Sequence, residues 1–201
     1  MPAGNANWIP DKFSFAFPAT RARTKRKFSG MTALGASAAI LVGLAATPAR
    51  ADFADHMQML DPPRQMPPLV FENAEGAQHT LADYHGHFIL LNVWATWCGP
   101  CVRELPSLDQ LQAKLGTRVI VLPLAEDRGD DTVAAYYKLH HLTHLPVAVD
   151  RGGIAPSALN LKGVPTTLLI NPQGLEVARY QGDADWMSDD ALAFINATTQ
   201  P

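Results

Sequence analysis

Cysteine is scarce in this chain of 201 residues, which contains only Cys98 and Cys101. A disulfide between them would close a loop of just four residues, and so short a loop constrains the unfolded chain little. A purely structural disulfide therefore explains the pair poorly. The intervening Gly-Pro dipeptide is typical of a turn that opens a helix, which argues against two inert core cysteines.

Long apolar runs are also missing. The most extended one, residues 31–46, is interrupted by Gly and spans about 16 residues, fewer than the roughly 20 that cross a bilayer as a helix. It follows a basic segment and precedes Ala49 and Ala51, small residues at the spacing of a signal-peptide cleavage site. We therefore predict that residues 1–51 are a signal peptide cleaved after Ala51. An uncleaved membrane anchor through residues 31–46 is the alternative.

Excess positive charge is missing from the chain beyond this leader. Residues 52–201 carry 9 basic and 18 acidic side chains, a net charge of −9, whereas residues 1–51 carry seven basic side chains and one acidic. An acidic domain gives no support to nucleic-acid binding. The basic leader includes residues 24–28, which resemble a twin-arginine export signal in which Lys25 takes the place of the first Arg.

The chain beyond the leader is long enough for one domain with a self-sufficient core, because it contains 150 residues. Its first part is rich in Pro, and we interpret residues 52–68 as an extended linker. Residues 69–201 are then the folded domain. We find no internal repeat in the sequence.

The two cysteines follow an apolar run, Phe88–Trp94, whose nearly continuous character predicts a strand covered on both faces. Apolar residues at helical spacing predict a helix over Gly99–Leu115, with Cys98 at its start. Free N–H groups and the partial positive charge at a helix N-terminus favour a thiolate over a thiol. Cys98 is therefore the candidate attacking thiol, and Cys101, one turn further on, is the candidate resolving thiol.

This pattern resembles the thioredoxin superfamily. Residues 92–106, which contain the Trp-Cys-Gly-Pro-Cys sequence, are most similar to the TlpA/ResA/DsbE branch of membrane-associated bacterial thiol–disulfide proteins, and to TlpA-like members in particular. Two further motifs, residues 124–129 and 163–167, extend the resemblance from about Leu69 to the C-terminus. The resemblance implies an α/β thioredoxin fold, a mixed sheet flanked by helices, with an N-terminal hairpin and a central insertion around residues 125–161.

Local patterns predict an order of elements that agrees with this fold. Apolar runs bounded by turn residues predict strands, and helical spacing or a capping residue predicts helices. Apart from the strand and helix around the cysteines, the predicted strands are residues 69–71, 78–81, 118–124, 146–149, 166–170 and 176–181, and the predicted helices are residues 130–141, 154–161 and 188–197. This order predicts a mixed sheet with helices on both faces.

The resemblance assigns the surface around the thiols to substrate docking. In thioredoxin-like proteins the proline at the position of Pro165 is cis and lies against the two sulfurs, so that the backbone of Val164 turns outward to pair with an extended substrate strand. Val164 and Pro165 are assigned to this role. Trp97 is interpreted as an exposed apolar contact for the partner, and Gly99 and Pro100 are placed on the same surface.

Glu104, near the start of the predicted helix, has two interpretations. It is either a solvated acid that favours the helix dipole, or a semi-buried carboxylate that exchanges the proton of Cys101. Asn92 favours the second interpretation, because thioredoxin itself has a buried Asp at the matching strand position as its proton acceptor, and Asn cannot titrate. The TlpA/ResA branch similarly pairs a non-acid at that position with a Glu in the helix.

Two other polar groups leave alternatives open. Residues 126–128, Glu-Asp-Arg, follow the C-terminal end of a predicted strand, where α/β folds place their sites, and we interpret them either as part of the site or as a solvated loop. His140 and His144 are spaced four apart, but 38 residues separate them from the Cys pair, unlike the usual spacing of a zinc finger. The histidines are interpreted as surface residues.

The sequence thus predicts an exported thiol–disulfide oxidoreductase that reduces protein disulfides in the periplasm, with the Cys98–Cys101 disulfide as its redox group and no separate cofactor or metal. Gly-Pro is the dipeptide of reducing thioredoxins, at about −270 mV, whereas the oxidant DsbA lies at about −120 mV. A disulfide-forming oxidant is one alternative. A copper- or zinc-binding chaperone is another, although no His lies within ten residues of Cys101.

The partners follow from the resemblance. The periplasm is kept oxidising, so a reductant there needs electrons from across the membrane, and a membrane electron donor of the DsbD or CcdA kind is implied. TlpA-like proteins serve the biogenesis of cytochrome oxidase copper centres, whereas DsbE and ResA relatives serve cytochrome c maturation. The implied substrates are therefore protein disulfides, including those of copper chaperones or apocytochrome c.

Overall fold

The computed structural model describes residues 53–127 and 132–200. The predicted signal peptide, residues 1–51, and its alternative as an anchor through residues 31–46 lie outside the described residues. Within the described ranges, no helix combines the length and the apolar character that a membrane span requires.

The described residues form one mixed sheet of eight strands with helices on both faces. The strands are β1 (Met57–Gln65), β2 (Val70–Glu72), β3 (Gln78–Thr80), β4 (Phe88–Trp94), β5 (Val119–Ala125), β6 (Ala148–Val149), β7 (Thr166–Ile170) and β8 (Leu175–Gln181). The helices are α1 (Phe53–His56), α2 (Gly99–Leu115), α3 (Thr132–Leu139), α4 (Ala155–Ala158) and α5 (Asp189–Thr198), with a 3-10 turn at Leu81–Tyr84. The strand order is β1-β8-β7-β4-β5-β6-β2-β3. The thioredoxin fold, with its N-terminal hairpin of β2 and β3, is confirmed.

Strand β4 lies at the centre of the sheet, as its apolar sequence predicts. It pairs in parallel with β5 and antiparallel with β7. Its side chains alternate between two apolar cores, with Leu90 packed in one core and Leu91 in the other. The first core also contains the leucines of α2 and residues of α3 and α5, and the second contains Ala155 of α4. Because β4 is anchored on both sides and both faces, the loop that follows it has a fixed starting point.

Helix α2 has the bounds that the sequence predicts. Cys98 is its N-cap, and Pro100 occupies the first turn, where a missing N–H costs nothing. The helix continues through Pro106 and ends at Gly116, whose φ of 58° is a conformation that favours glycine. Leu105, Leu108 and Leu111 are fully buried on one face, and this apolar stripe attaches the active-site helix to the sheet.

The predicted linker, residues 52–68, is corrected by the structure. Strand β1 occupies most of it and pairs antiparallel with β8 at the edge of the sheet. The pairing is interrupted between Met59 and Arg64, around the two prolines that lack a backbone N–H, and an edge strand tolerates such an interruption. Phe53 anchors the segment, since its ring stacks on Tyr180 at 4.7 Å. The described domain therefore begins before residue 69.

Candidate active site

The two cysteines form a disulfide at the start of α2, with an S–S distance of 2.07 Å. Cys98 is 6% exposed and Cys101 is 0% exposed, so of the two cysteines only the first retains any exposure to solvent. The backbone N–H of Cys101 donates to Cys98 Sγ at 3.3 Å. In the reduced protein this N–H and the helix dipole would favour a negative charge on Cys98, which suits an attacking thiolate.

The loop before β7 lies against the first sulfur. The Val164–Pro165 peptide bond is cis, and the Val164 carbonyl oxygen is 3.7 Å from Cys98 Sγ. The Pro165 carbonyl accepts a hydrogen bond from the N–H of Gly182 at 3.0 Å, which ties this loop to the end of β8. Trp97 is 69% exposed on the loop that precedes α2. The structure thus brings a half-buried Val164 and an exposed aromatic ring to the rim of the disulfide.

Glu104 is buried beneath this rim and is not a solvated first-turn acid. Its side chain is only 2% exposed. One carboxylate oxygen, Oε1, accepts from Asn92 Nδ2 at 2.8 Å. The other, Oε2, accepts from the Ala184 N–H at 3.2 Å and from the Trp186 indole N–H at 3.1 Å. Burial raises the pKa of Glu104 to about 7, and these donors offset that effect only in part.

Asn92 is the one polar interruption of β4, and the structure explains it. Its side-chain amide donates both to Glu104 and, at 2.9 Å, to Thr167 Oγ1. Thr167 lies directly opposite on β7. Asn92 Oδ1 has no hydrogen-bond partner among the described residues. Sequence reasoning missed Thr167, although it lies within the 163–167 motif, and it missed Ala184 and Trp186, which no local signal marks.

Asp127, the middle residue of the 126–128 segment, is linked to the loop that carries the site, whereas Arg128 lies outside the described residues. Its carboxylate is 7% exposed and accepts from the backbone N–H of Thr96 at 2.9 Å and from the Thr96 hydroxyl at 2.5 Å. Thr96 immediately precedes Trp97. Asp127 therefore holds the loop that carries the exposed tryptophan and the first cysteine, and it is not a solvated acid.

Comparison with known proteins agrees with this geometry. The model of the Redoxin family matches residues 62–194. This chain belongs to the Redoxin family. Thiol-disulfide oxidoreductase ResA from Bacillus thuringiensis subsp. konkukian is 31% identical over 121 residues, 60% of this chain and 69% of the relative. Thioredoxin-like protein YneN from Bacillus subtilis is 30% identical over 115 residues, 56% of this chain and 66% of the relative.

Solved structures show the same likeness over about two thirds of the chain. A thiol:disulfide interchange protein DsbE from Chlorobium tepidum superposes with a TM-score of 0.60 at 27% identity, covering 69% of this chain and 97% of that protein. The exposed lipoprotein thioredoxin Etrx1 of Streptococcus pneumoniae has a TM-score of 0.52 at 26% identity, covering 64% and 96%. This Redoxin-family protein is thus a thiol–disulfide oxidoreductase of the TlpA/ResA/DsbE-like thioredoxin branch, and its redox group is the Cys98–Cys101 pair.

The histidines differ in part from the surface positions that we predicted. His144 is partly buried, because its Nδ1 lies 2.8 Å from Asp109 Oδ2 and its backbone N–H donates to the same carboxylate. His140 is exposed and stacks on Tyr136 at 4.1 Å. Within residues 53–127 and 132–200 of this Redoxin-family protein, no group of three or more His, Cys, Asp or Glu side chains is placed to hold a metal ion.

We expect Thr96→Val to lower the free energy of unfolding of this Redoxin-family protein by about 1.5–3 kcal/mol, the usual range for a hydrogen bond to a charged group. The substitution keeps the volume and removes the hydroxyl that donates to the buried Asp127 carboxylate. Thr96→Ser is the matched control, because it retains the hydroxyl. Urea denaturation of wild type and of both variants measures the effect. Equal stability of the Val and Ser variants would contradict the inferred role of Asp127.

Proposed function

We propose that this Redoxin-family protein is an exported reductase of protein disulfides. The observation that supports it most directly is the Cys-Gly-Pro-Cys pair at the first turn of α2, with Cys98 at the rim beside Val164 and Cys101 fully buried. The more accessible sulfur suits attack on a large substrate, and the buried one suits internal resolution.

The proposed reaction has two exchange steps. The Cys98 thiolate attacks one sulfur of a substrate disulfide, a mixed disulfide forms, and the other substrate sulfur leaves as a thiolate. The Cys101 thiolate then attacks Cys98 Sγ and releases the first substrate sulfur. Two electrons pass to the substrate, which ends as a dithiol, and the protein ends with the Cys98–Cys101 disulfide that the structure contains.

Glu104 is proposed as the proton acceptor for Cys101 in the second step. The two residues are three positions apart on α2, so they share one face of the helix. Both are buried, at 0% and 2% exposure. Because burial raises the pKa of Glu104 to about 7, the carboxylate is a suitable base near neutral pH.

The docking surface is proposed to comprise the exposed rim of the disulfide. Trp97 would provide an apolar contact, and Gly99 and Pro100 would allow the substrate backbone to approach the sulfurs. The cis peptide at Val164 and Pro165 lies against Cys98 and would pair with an extended substrate strand. These assignments rest on the family resemblance together with the proximity of these residues to the disulfide.

The proposal also includes the location of the protein in the periplasm and its redox partners. The basic leader with its apolar segment supports export to the periplasm, and the similar pneumococcal protein is described as an exposed lipoprotein. Electrons would come from a membrane donor of the DsbD or CcdA kind. The substrates would be protein disulfides in cytochrome or cytochrome-oxidase biogenesis, such as those of apocytochrome c or copper chaperones.

The equilibrium reduction potential tests the direction of electron flow. We expect a value below about −200 mV, because Gly-Pro is the dipeptide of reducing thioredoxins rather than of oxidants. Equilibration of the purified protein with glutathione or dithiothreitol buffers gives the value. Replacing Gly99-Pro100 by Pro-His is expected to raise it. A wild-type potential near −120 mV, that of the oxidant DsbA, would exclude the reductase and favour the alternative of disulfide formation.

A further inference from the structure

The loop between β8 and α5, residues 182–188, supplies two of the three hydrogen bonds that hold the Glu104 carboxylate, and Asn92 on β4 supplies the third. We propose that Trp186 is a positioning residue for the exchange reaction, because its indole N–H holds Glu104 Oε2 and keeps the carboxylate oriented to receive the proton of Cys101. This inference rests on the proposed function of Glu104 as the proton acceptor. Trp186 itself touches neither the sulfurs nor a substrate in this scheme.

The two oxygens of Glu104 are held by different parts of the fold. Asn92, on β4, donates to Oε1 at 2.8 Å. Trp186 and Ala184 donate to Oε2 at 3.1 and 3.2 Å. Because each oxygen has its own donors, rotation of the carboxylate about its terminal bond would break hydrogen bonds at both oxygens. The carboxylate is therefore fixed in one orientation before the reaction begins.

The indole ring is itself fixed by its surroundings. Trp186 is 0% exposed, and its ring lies edge-on to Tyr180 at 5.5 Å and to Phe53 at 5.6 Å. Its backbone N–H donates to Ser107 Oγ at 3.1 Å, and the Ser107 hydroxyl donates to the Glu104 carbonyl oxygen at 2.7 Å. The loop is thus attached to α2 through Ser107 as well as through the Glu104 side chain. A phenyl ring could fill much of the same space, but it lacks the indole N–H that donates to Oε2 alongside the Ala184 N–H.

The negative charge of Asp183 favours the neutral form of Glu104. Asp183, on the same loop, raises the pKa of Glu104 in addition to the effect of burial. Arg103, on α2, forms an exposed ion pair with Asp183 at 3.1 Å, and Asp185 lines the same cleft of about 240 Å³ that reaches Glu104. Burial and the charge of Glu104 also raise the pKa of Tyr180 on β8. In this acidic setting the indole donor is one of the few groups that stabilise the carboxylate.

The test measures the resolving step directly. Reduced protein reacts with 5,5′-dithiobis(2-nitrobenzoate) in two phases, since attack by Cys98 releases one nitrothiobenzoate and resolution by Cys101 releases the second. Trp186→Phe removes a donor that favours the ionised carboxylate, so the base forms at higher pH. We expect the midpoint of the resolving phase to move upward by about one pH unit, with resolution at lower pH slowed about tenfold and attack unchanged.

Trp94→Phe is the matched control. Trp94 is also 0% exposed, and its indole N–H has no hydrogen-bond partner among the described residues. The control therefore makes the same Trp-to-Phe truncation in a buried site without removing a donor to Glu104, and its midpoint should remain at the wild-type value. A Trp186→Phe profile that also keeps the wild-type midpoint would overturn the inference, even if the variant were less stable.

The indole resonances provide a second readout that does not depend on the folding of a variant. In ¹⁵N-labelled wild type, the Nε1–H signal of Trp186 should shift with pH at the same midpoint as the resolving phase, and a signal that stays constant would overturn the inference. Glu104→Gln distinguishes the role of Glu104 from that of Trp186. If Glu104→Gln removes the pH dependence of the resolving phase while Trp186→Phe keeps the wild-type midpoint, the role of Glu104 stands and that of Trp186 fails. If Glu104→Gln keeps the pH dependence, both roles fail.

Discussion

Cys98→Ser is expected to abolish disulfide reduction, whereas Cys101→Ser is expected to attack its substrate once and then stop. Cys98 is the sulfur at the rim and the N-cap of α2, so its loss removes the nucleophile. Without Cys101 the mixed disulfide has no internal thiol to resolve it. The reaction with 5,5′-dithiobis(2-nitrobenzoate) checks this, because the Cys101 variant should release one nitrothiobenzoate per protein and the wild type two.

Alkylation of the reduced wild type tests the same assignment independently. Cys98 should react with iodoacetamide near neutral pH faster than an ordinary thiol, because the start of the helix stabilises its thiolate. Cys101 should be protected in the folded protein, since its side chain is fully buried. Faster alkylation of Cys101, or trapping of substrates by the Cys98 variant, would reverse the two roles.

Glu104→Gln is expected to slow resolution of the mixed disulfide by about 10²–10⁴-fold, the usual contribution of a positioned general base. Because the pKa of Glu104 is raised to about 7 by burial, the wild-type resolving rate should rise with pH around neutrality. The Gln variant should lack this step. Glu75→Gln is the control, because Glu75 is exposed and far along the chain from the site.

The same variant has a second, thermodynamic readout. The pKa of Glu104 is raised from 4.5 to about 7 on folding, so the folded state holds its proton more tightly than the unfolded state. The stability from this group is therefore fully present below pH 4.5 and is lost as the pH rises toward 7. The loss amounts to about 3 kcal/mol. Denaturant unfolding at several pH values measures this loss, and the free energy of unfolding of Glu104→Gln should not fall in this way as the pH rises.

Superimposable pH profiles for wild type and Glu104→Gln would contradict the proton-acceptor role. A carboxylate that only complemented the helix dipole would contribute about 0.3–1 kcal/mol to stability and leave the exchange rates unchanged. The burial of Glu104 and its three hydrogen-bond donors argue against that interpretation.

The sequence by itself determined the parts of this protein that depend on neighbours along the chain. The bounds of β4 and α2 follow from an apolar run and from a helical stripe that begins at Cys98, and both agree with the structure. The redox pair follows from its spacing and from the helix start. The position of Val164 and Pro165 against the sulfur was accessible only through the family resemblance, since 66 residues separate Val164 from Cys98.

Only the tertiary structure decided how the site is held. The donors to Glu104 come from β4 and from a loop whose Ala184 is 80 residues beyond Glu104. Nothing in the local pattern around Trp186 indicates that its indole contacts a carboxylate. Asp127 reaches Thr96 across adjacent strand ends for the same reason. The proline-rich sequence of residues 57–65 is typical of a linker. In the structure it forms strand β1, which pairs with β8 at a sheet edge, where a missing backbone N–H is tolerated. Periodicity records which face of an element is buried, whereas the partners of a buried polar group are set by how the elements pack.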